Sequence, residues 1–193
     1  MAQSFSGVGE SDAGRALDVL VMAFAADPVE RWMYPEAREY LMRFPAFLAA
    51  FGGRAFAEGT VWRLGDFSAV ALWLPPGVEP DGEAIMAVLS ESVASAKHED
   101  VFSVVRQMDE AHPRFPHWYL PWFGVDPALQ GRGLGSELMQ QCLRIVDQDH
   151  VPVYLETPNP RSLPFYERQG FEVTGSALAG ACPPVTFMLR DAR

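Results

Sequence analysis

The sequence contains little cysteine and comparatively little positive charge. Its two cysteines, Cys142 and Cys182, lack the spacing of metal ligands and form a poor basis for a disulfide framework, so we expect buried thiols and a cytoplasmic location. Lysine and arginine number 15 against 25 aspartate and glutamate residues, which gives a formal net charge of -10. Because no basic stripe is present to neutralise phosphates, nucleic acid is not expected as a partner.

Long apolar runs are also lacking. No stretch reaches the roughly 18 uninterrupted apolar residues that a membrane span needs, and the N-terminus has no basic segment followed by an apolar core. We therefore expect neither membrane association nor export by the usual signal. Hydrophobic residues make up 49% of the 193 residues, and no repeat or linker divides them, so we expect a single domain over 1–193.

Hydrophobic periodicity predicts an alternation of helices and strands. The predicted helices lie at 13–24, 40–51, 83–108 with a break near 97–100, 134–146 and 162–169, and the predicted strands at 60–64, 67–74, 117–125, 151–155, 171–174 and 185–189. Ser11 is the expected cap of the first helix, which should end before Asp27 and Pro28. Gly52 and Gly53 should close the second.

A glycine-rich turn joins a predicted strand to a predicted helix. Residues 130–136 read Gln-Gly-Arg-Gly-Leu-Gly-Ser and stand directly before the helix at 134–146. The first four N–H groups of a helix have no internal partner and the helix dipole favours negative charge there, so this turn is a candidate anion site. Glycines allow main-chain amides to approach a diphosphate, and Arg132 adds a cationic donor. The alternative is a tight turn without a ligand.

Two common phosphate motifs do not fit this turn. A P-loop requires Gly-Lys-Ser/Thr, which the chain lacks, so a nucleoside triphosphate is not expected. The dinucleotide fingerprint needs two residues between its second and third glycines, whereas Gly131, Gly133 and Gly135 alternate and lie late in the chain. A nucleotide-cofactor oxidoreductase is therefore only a rival interpretation.

A pattern that does fit is Gln130-x-x-Gly133-x-Gly135, which resembles the pyrophosphate loop of the GNAT superfamily of N-acyltransferases. A second segment, from Asn159 through Phe-Tyr-Glu-Arg-Gln-Gly-Phe at 165–171, is typical of the C-terminal half of that family. The runs at 155–157 and 163–167, preceded by His-Trp-Tyr-Leu at 117–120, look especially like the puromycin N-acetyltransferase group. The resemblance covers residues 117–175.

This resemblance implies a fold and a reaction. The fold is a mixed α/β acyl-CoA N-acyltransferase type, with a central, mostly antiparallel sheet that is flanked by helices and splits between the strands at 117–125 and 151–156. Residues 1–116 form the acceptor side and 117–193 the half that binds acetyl-CoA. The implied reaction is direct transfer of an acetyl group from acetyl-CoA to a primary amine of a small molecule. A non-catalytic coenzyme A-binding module is the alternative, and a homodimer is possible.

The resemblance also assigns the residues that bind acetyl-CoA. Pro121 removes a ladder hydrogen bond from its strand and so predicts a bulge or an edge. In the family the pantetheine arm lies in such a gap, which assigns main-chain contacts to Phe123 and Val125. Asn159 either binds the arm or caps the short helix ahead of Pro160. The diphosphate is assigned to Gln130, Gly131, Arg132, Gly133, Leu134, Gly135 and Ser136.

The catalytic candidates are an acid and a base. Tyr166 occupies the position of the family's recurrent tyrosine, which protonates the leaving thiolate; the alternative is a core aromatic residue. The family often places a glutamate on the strand before the pyrophosphate loop, and this chain has no acid there. Glu156 is the first candidate base, unless it only binds backbone or Arg161, and His117 is the second.

The acceptor site is expected in the N-terminal half. Asp27, Glu30, Trp32 and Tyr34 cluster between two predicted helices, and an acidic and aromatic lining suits an organic cation, although such a cluster is more often ordinary loop packing. The remaining histidines, at 98, 112 and 150, lack metal-ligand spacing and are expected at the surface. No metal site is predicted.

Overall fold

The computed structural model describes residues 3–193 and contains seven strands and eight α-helices in that range. The strands are β1 (Phe5–Gly7), β2 (Val61–Leu64), β3 (Ala69–Leu74), β4 (Trp118–Val125), β5 (Val153–Thr157), β6 (Glu172–Ala177) and β7 (Val185–Arg190). The helices are α1 (Ala13–Ala23), α2 (Pro28–Met33), α3 (Ala37–Gly52), α4 (Arg54–Ala57), α5 (Gly82–Ser92), α6 (His98–Ala111), α7 (Leu134–Val146) and α8 (Leu163–Glu167).

The seven strands form one sheet in the order β1-β2-β3-β4-β5-β7-β6. Every neighbouring pair is antiparallel except β4 and β5, which are parallel. Side chains of β3 alternate between two cores: Val70 and Leu72 pack on the side of α1, α3, α5 and α6, and Ala71 and Trp73 pack on the side of α7. The predicted mixed α/β fold with a mostly antiparallel sheet is therefore confirmed.

The sheet divides between β4 and β5. These strands pair only through Trp118 with Val153 and Tyr119 with Tyr154, and beyond Tyr119 they no longer pair. A register shift lies in the same region of β4, where Tyr119 and Trp122 pack into one core although they are three positions apart. A regular strand would place them on opposite faces, so the bulge that Pro121 predicts is present. The result is a gap between the two parallel strands.

Close packing of α1 brings the N-terminal half to this gap. A Cβ atom added to Gly124 of β4 would lie 2.7 Å from the Ala23 Cβ and 2.9 Å from the Leu20 Cδ2, so only glycine permits this contact between helix and strand. The end of α1 therefore packs directly against β4. The segment that follows α1 lies beside the gap as a consequence.

Several short elements differ from the predictions. Ser11 lies in a 3-10 turn rather than at a cap, and α1 ends at Ala23. Asp27 begins a helix that was not predicted: its carboxylate accepts hydrogen bonds from the amides of Val29 and Glu30, and Pro28 occupies the first helical position. α3 ends at Gly52 with Gly53 as its C-cap, as predicted, and the short helix α4, which was not predicted, follows directly.

Other boundaries moved by a few residues. The predicted helix at 83–108 is two helices, α5 and α6, with a break at 93–97. The short strand β1 was not predicted. Both cysteines are buried, as expected, and neither is in a disulfide. Within residues 3–193, no helix has the length and apolar character needed to cross a membrane.

Candidate functional site

A cavity of about 1110 Å³ opens at the gap between β4 and β5. Its walls come from the segment between α1 and α2, from β4, from the glycine turn before α7, from the end of β5 and from α8. Elements from both halves of the chain thus meet around one continuous space. The sequence predictions for the donor site and the acceptor site refer to opposite walls of it.

The glycine turn presents a row of main-chain amides to this cavity. Gly131 and Gly133 have φ angles of +75° and +82°, a region that side chains other than glycine enter at a cost. Gly133 is the N-cap of α7, and the first hydrogen bond of the helix runs from the Glu137 amide to the Gly133 carbonyl at 3.0 Å. The amides of 131–136 donate to no acceptor within the described chain. This cradle fits a diphosphate.

The other residues predicted to bind the donor have varied placements. Gln130, Phe123 and Val125 line the cavity, and the Gln130 Nε2 donates to the Val125 carbonyl at 3.2 Å. Asn159 also lines it, and its Oδ1 accepts from the backbone amide of residue 161 at 3.1 Å, so the capping role is observed. Arg132 is exposed, does not line the cavity, and reaches only toward a backbone carbonyl.

Tyr166 lies in the wall of the cavity and is 8% exposed. Its ring centroid is 5.1 Å from that of Phe165 and 5.8 Å from that of Phe171. Burial raises the pKa of the Tyr166 phenol above its usual range, and the negative charge of Asp27 adds to the effect. The phenol is therefore protonated at neutral pH and available as a proton donor.

Glu156 lies at the end of β5 where the strands separate. Its side chain is 6% exposed and lines the cavity, and the Tyr119 hydroxyl donates a hydrogen bond to its Oε2. Burial and the Glu156 charge raise the pKa of the Tyr119 phenol well above its usual range, so this donor keeps its proton. Glu156 faces the opposite core from Val153, as strand alternation predicts.

His117 lies behind Glu156 and does not line the cavity. Its Nδ1 lies 2.8 Å from the carbonyl oxygen of Phe115, and its Nε2 lies 3.1 Å from the Nε2 of His112. The Nδ1 of His112 lies 3.9 Å from Glu156 Oε1. Burial lowers the pKa of His117, assisted by His112 and opposed by the carbonyl contact. His117 thus reaches Glu156 only through a second histidine.

His112 is the residue that sequence reasoning placed wrongly. Surface exposure was predicted, yet its side chain is 10% exposed and its Nε2 lies 3.4 Å from Glu79 Oε2. Its position at the C-cap of α6 turns it toward β4 and β5, which no local pattern indicates. Among residues 3–193, no group of three or more His, Cys, Asp or Glu side chains is arranged to hold a metal ion.

The predicted acceptor cluster divides into two pairs. Asp27 and Glu30 line the cavity, whereas Trp32 and Tyr34 do not. The Tyr34 hydroxyl is 2.7 Å from the Ser92 hydroxyl, and the Nζ of a lysine lies 5.2 Å from the Trp32 ring centroid. The acidic half of the cluster therefore faces the site and the aromatic half packs elsewhere.

The two carboxyl groups of the acceptor wall are both buried. Burial raises the pKa of Asp27 to about 6, against hydrogen bonds from the amides of Glu30 and Val29 that lower it. Burial also raises the pKa of Glu30 well above its usual range, with the Asp27 charge as a second cause. A carboxyl group with a pKa of about 6 is half ionised at about pH 6. It is therefore able to gain and lose a proton near neutral pH, as a general base must.

Apolar side chains complete the acceptor wall, and sequence reasoning did not assign them. They come from α2, α3, α5, α6 and β7, and include Met33, Phe47, Leu89, Val104, Met108 and Val185. No spacing in the sequence links these positions because they are far apart along the chain. Only the folding of both halves around the gap brings them together.

Comparison with known proteins agrees with this geometry. The sequence model of the Acetyltransferase (GNAT) family matches residues 45–171. That range begins in α3 and ends after α8, so it contains the split strands, the glycine turn, Glu156 and Tyr166. The match thus covers the elements that form the donor side of the cavity.

Individual proteins show the same relationship. An uncharacterized N-acetyltransferase of Schizosaccharomyces pombe is 26% identical over 185 residues, which cover 85% of this chain and 72% of that protein. The solved structure of the Corynebacterium glutamicum protein named histone acetyltransferase HPA2 and related acetyltransferase has a TM-score of 0.72, 23% identity, and coverage of 100% and 98% of the two chains. Arylalkylamine N-acetyltransferase 2 of Aedes aegypti has a TM-score of 0.67, 12% identity, and coverage of 98% and 99%. These two structures share the fold.

Proposed function

Since the chain belongs to the acetyltransferase (GNAT) family and is an N-acetyltransferase, we propose that it transfers an acetyl group from acetyl-CoA to a primary amine of a small molecule within a ternary complex. Enzymes of this family use acetyl-CoA as donor. The observation that carries the proposal is a single cavity lined by an amide cradle, a protonated phenol and buried carboxyl groups. The likeness of residues 155–157 and 163–167 to the puromycin N-acetyltransferase group supports a small-molecule acceptor.

The main chain holds the donor in this proposal. Acetyl-CoA supplies an activated acyl thioester together with a diphosphate. The amides of 131–136 bind the diphosphate, because they lack other partners and lie at the positive end of α7. Residues 123–125 of β4 bind the pantetheine arm along the edge that β5 leaves unpaired, and an amide there stabilises charge on the carbonyl oxygen.

Tyr166 is the proposed acid. Breaking the carbon–sulfur bond of a thioester releases a thiolate, which must be protonated for the reaction to proceed. The buried phenol of Tyr166 keeps its proton at neutral pH and lies in the wall of the cavity that the glycine turn also lines. These two properties support its assignment.

Glu156 is the proposed base. An alkyl ammonium group has a pKa of about 10, so the acceptor must lose a proton before it attacks. Glu156 lines the cavity at the point where β4 and β5 separate, and the Tyr119 hydroxyl fixes its carboxylate. His117 lies behind it, contacts His112 and does not line the cavity, so Glu156 is preferred to His117 as the base.

Asp27 is a second candidate for the base. Its pKa of about 6 and the action of its charge on Tyr166 place an ionisable carboxyl group near the acid. In the proposed mechanism Asp27 holds the ammonium group beside Tyr166, and it accepts the proton if Glu156 does not. Either role requires the ionised form of Asp27.

The cysteines support direct transfer without an acetylated enzyme. Burial raises the pKa of Cys142 to about 12 and that of Cys182 to about 11. Because the thiolate is the nucleophile, neither thiol is reactive at neutral pH. The amine therefore attacks the thioester itself.

The test is a screen of primary amines with acetyl-CoA, read by the release of free thiol and by mass spectrometry of the product. We expect a product about 42 mass units heavier than the amine, because an acetyl group replaces one hydrogen atom. Steady-state kinetics should show both substrates bound before either product leaves. Ping-pong kinetics, or thiol release without an acetylated amine, would contradict the proposal.

A further inference from the structure

Glu30 has no visible role in holding the fold together. It is 3% exposed, and its Oε2 has no hydrogen-bond partner among the described residues. Asp27, by contrast, caps α2 through two backbone amides. A buried polar atom without a partner costs free energy, so its retention calls for an explanation outside the fold. Glu30 also lines the cavity, where a ligand is able to supply the missing partner.

Glu30 shares the cavity with part of a buried apolar cluster, to which its helix neighbours Val29 and Met33 belong. Side chains of α2, α5, α6 and β7 share this wall, namely Met33, Leu89, Val101, Val104 and Val185. Burial raises the pKa of Glu30 well above its usual range, and the charge of Asp27 adds to the effect. The pocket around Glu30 therefore favours an uncharged group over a second cation, because apolar walls do not solvate charge.

The carboxyl groups of Asp27 and Glu30 both line the cavity. Asp27 is the N-cap of α2, and Glu30 lies three positions later in its first turn. The charge of Asp27 acts on Tyr166, so Asp27 belongs to the reacting end. Glu30 is left to bind a different part of the same acceptor molecule.

Resting on the proposed function, we propose that the acceptor is a primary amine with an aryl or alkyl body and a second, uncharged hydrogen-bond donor, such as a hydroxyl group, which binds Glu30. The apolar wall packs against the body of the acceptor. The ammonium group lies at Asp27 and Tyr166, and the distal hydroxyl donates to the carboxyl group of Glu30. Glu30 is thus a specificity residue and not a catalytic one.

The experiment compares three acceptors: phenethylamine, tyramine, which adds a distal hydroxyl, and agmatine, which adds a distal cation. A net hydrogen bond of about 1.4 kcal/mol corresponds to tenfold, so we expect kcat/KM for tyramine to exceed that for phenethylamine by about tenfold and agmatine to be the poorest. In Glu30→Leu the ratio of tyramine to phenethylamine should fall to about one, because the partner of the distal hydroxyl is removed. The exposed Glu36→Leu serves as the matched control and should keep the wild-type ratio.

Other results overturn the proposal in distinct ways. If Glu30→Leu keeps the wild-type ratio of kcat/KM for tyramine to that for phenethylamine, Glu30 does not bind the distal hydroxyl. The same conclusion follows if kcat/KM falls equally for both aryl amines while thermal unfolding of the variant matches wild type. Agmatine as the best acceptor of the wild-type enzyme excludes an uncharged distal group. If Glu30→Leu does not fold, Glu30→Gln, which keeps the side-chain volume, replaces it. Its ratio of kcat/KM for tyramine to that for phenethylamine is then compared with the wild-type ratio. Failure of the wild-type enzyme to acetylate any amine contradicts the proposed function itself.

Discussion

The two walls of the cavity are built in different ways. The donor wall is formed by consecutive main-chain amides at 131–136, which a glycine-rich turn presents at the start of α7. The acceptor wall is formed by side chains from α2, α3, α5, α6 and β7. A site made of backbone leaves a compact sequence motif, whereas a site made of dispersed side chains leaves none. The donor is therefore readable from sequence and the acceptor is not.

The walls also differ in charge. The donor wall offers unpaired N–H groups and the positive end of a helix dipole, which attract an anion. The acceptor side carries buried carboxyl groups at Asp27, Glu30 and Glu156, which attract a cation or a hydrogen-bond donor. In the proposed mechanism the anionic donor and the amine acceptor therefore meet at Tyr166. Substitutions on the two walls should change different kinetic constants, and each prediction below separates them.

The largest effect is expected for Tyr166→Phe. Removing the hydroxyl removes the proposed acid, and general acid catalysis typically contributes about 10²–10⁴-fold, so kcat should fall by at least about 100-fold. Affinity for acetyl-CoA, measured by calorimetric titration, should stay within about twofold because the ring is retained. A variant with unchanged turnover would remove Tyr166 from the chemistry.

The next effect distinguishes the two carboxylates near the reaction. Glu156→Gln and Asp27→Asn should each lower kcat, the base by about 100-fold with an alkyl amine. If the acceptor is an amine whose own pKa lies below the assay pH, it enters as the free amine, and only the proton released after its attack has to be accepted. With such an amine the decrease in kcat should become smaller in the variant that lacks the base and should remain in the other carboxylate variant. We expect Glu156→Gln to be the variant that recovers, and recovery of Asp27→Asn alone would transfer the role of base to Asp27.

Gly133→Val tests the donor wall. A β-branched residue does not tolerate a φ angle of +82°, and a strained position of this kind costs about 1–3 kcal/mol. We expect the KM for acetyl-CoA to rise by about tenfold or more, with the KM for the amine unchanged. Gly9→Val, at a glycine outside the cavity with a φ of -85°, is the control. An equal effect of both variants would show a loss of folding rather than of the cradle.

The elements that could be predicted are those whose pattern is local and long. The helix at 134–146 repeats its apolar face over several turns. In the strand at 117–125, Pro121 predicts the bulge. Short elements such as β1 and α2 have too few residues to show a period and form because the rest of the chain supports them. Because α2 was not predicted, the sequence did not indicate that Asp27 is a helix N-cap.

The same limit applies to the site. The glycine turn is contiguous, so its amides and Tyr166 were assigned from motifs, and these assignments stay predictions until a ligand is bound. The burial of His112 depends on how the end of α6 meets β4 and β5, and nothing within a few residues of it specifies that contact. The position of Trp32 outside the cavity likewise follows from the unpredicted helix α2.

A pH profile provides a further test of the acceptor wall. Asp27 has a pKa raised to about 6, so its ionised fraction is nearly complete at pH 8 and falls as the pH drops through 6. Since both proposed roles need the carboxylate, kcat with an alkyl amine, which is an ammonium ion at both pH values, should be about tenfold lower at pH 5 than at pH 8. In Asp27→Asn that acidic limb should disappear. An identical limb in the variant would assign it to another group.

The smallest effect is expected for Arg132→Ala. The side chain is exposed and lies outside the cavity lining, and its guanidinium group is 3.5 Å from a backbone carbonyl. Because exposed charges contribute little, the KM for acetyl-CoA should change by less than about threefold. A larger rise, lost at high salt, would show that this side chain moves to contact the phosphates and that the donor wall is not made of backbone alone.

The binding of the diphosphate by main-chain amides is measured most directly by NMR of the ¹⁵N-labelled protein. We expect coenzyme A to shift the amide resonances of 131–136 strongly. Pantetheine, which lacks the diphosphate, should leave those resonances in place while it shifts residues of β4. Coenzyme A that binds with the amides of 131–136 unperturbed would contradict the assignment of this turn as the donor site.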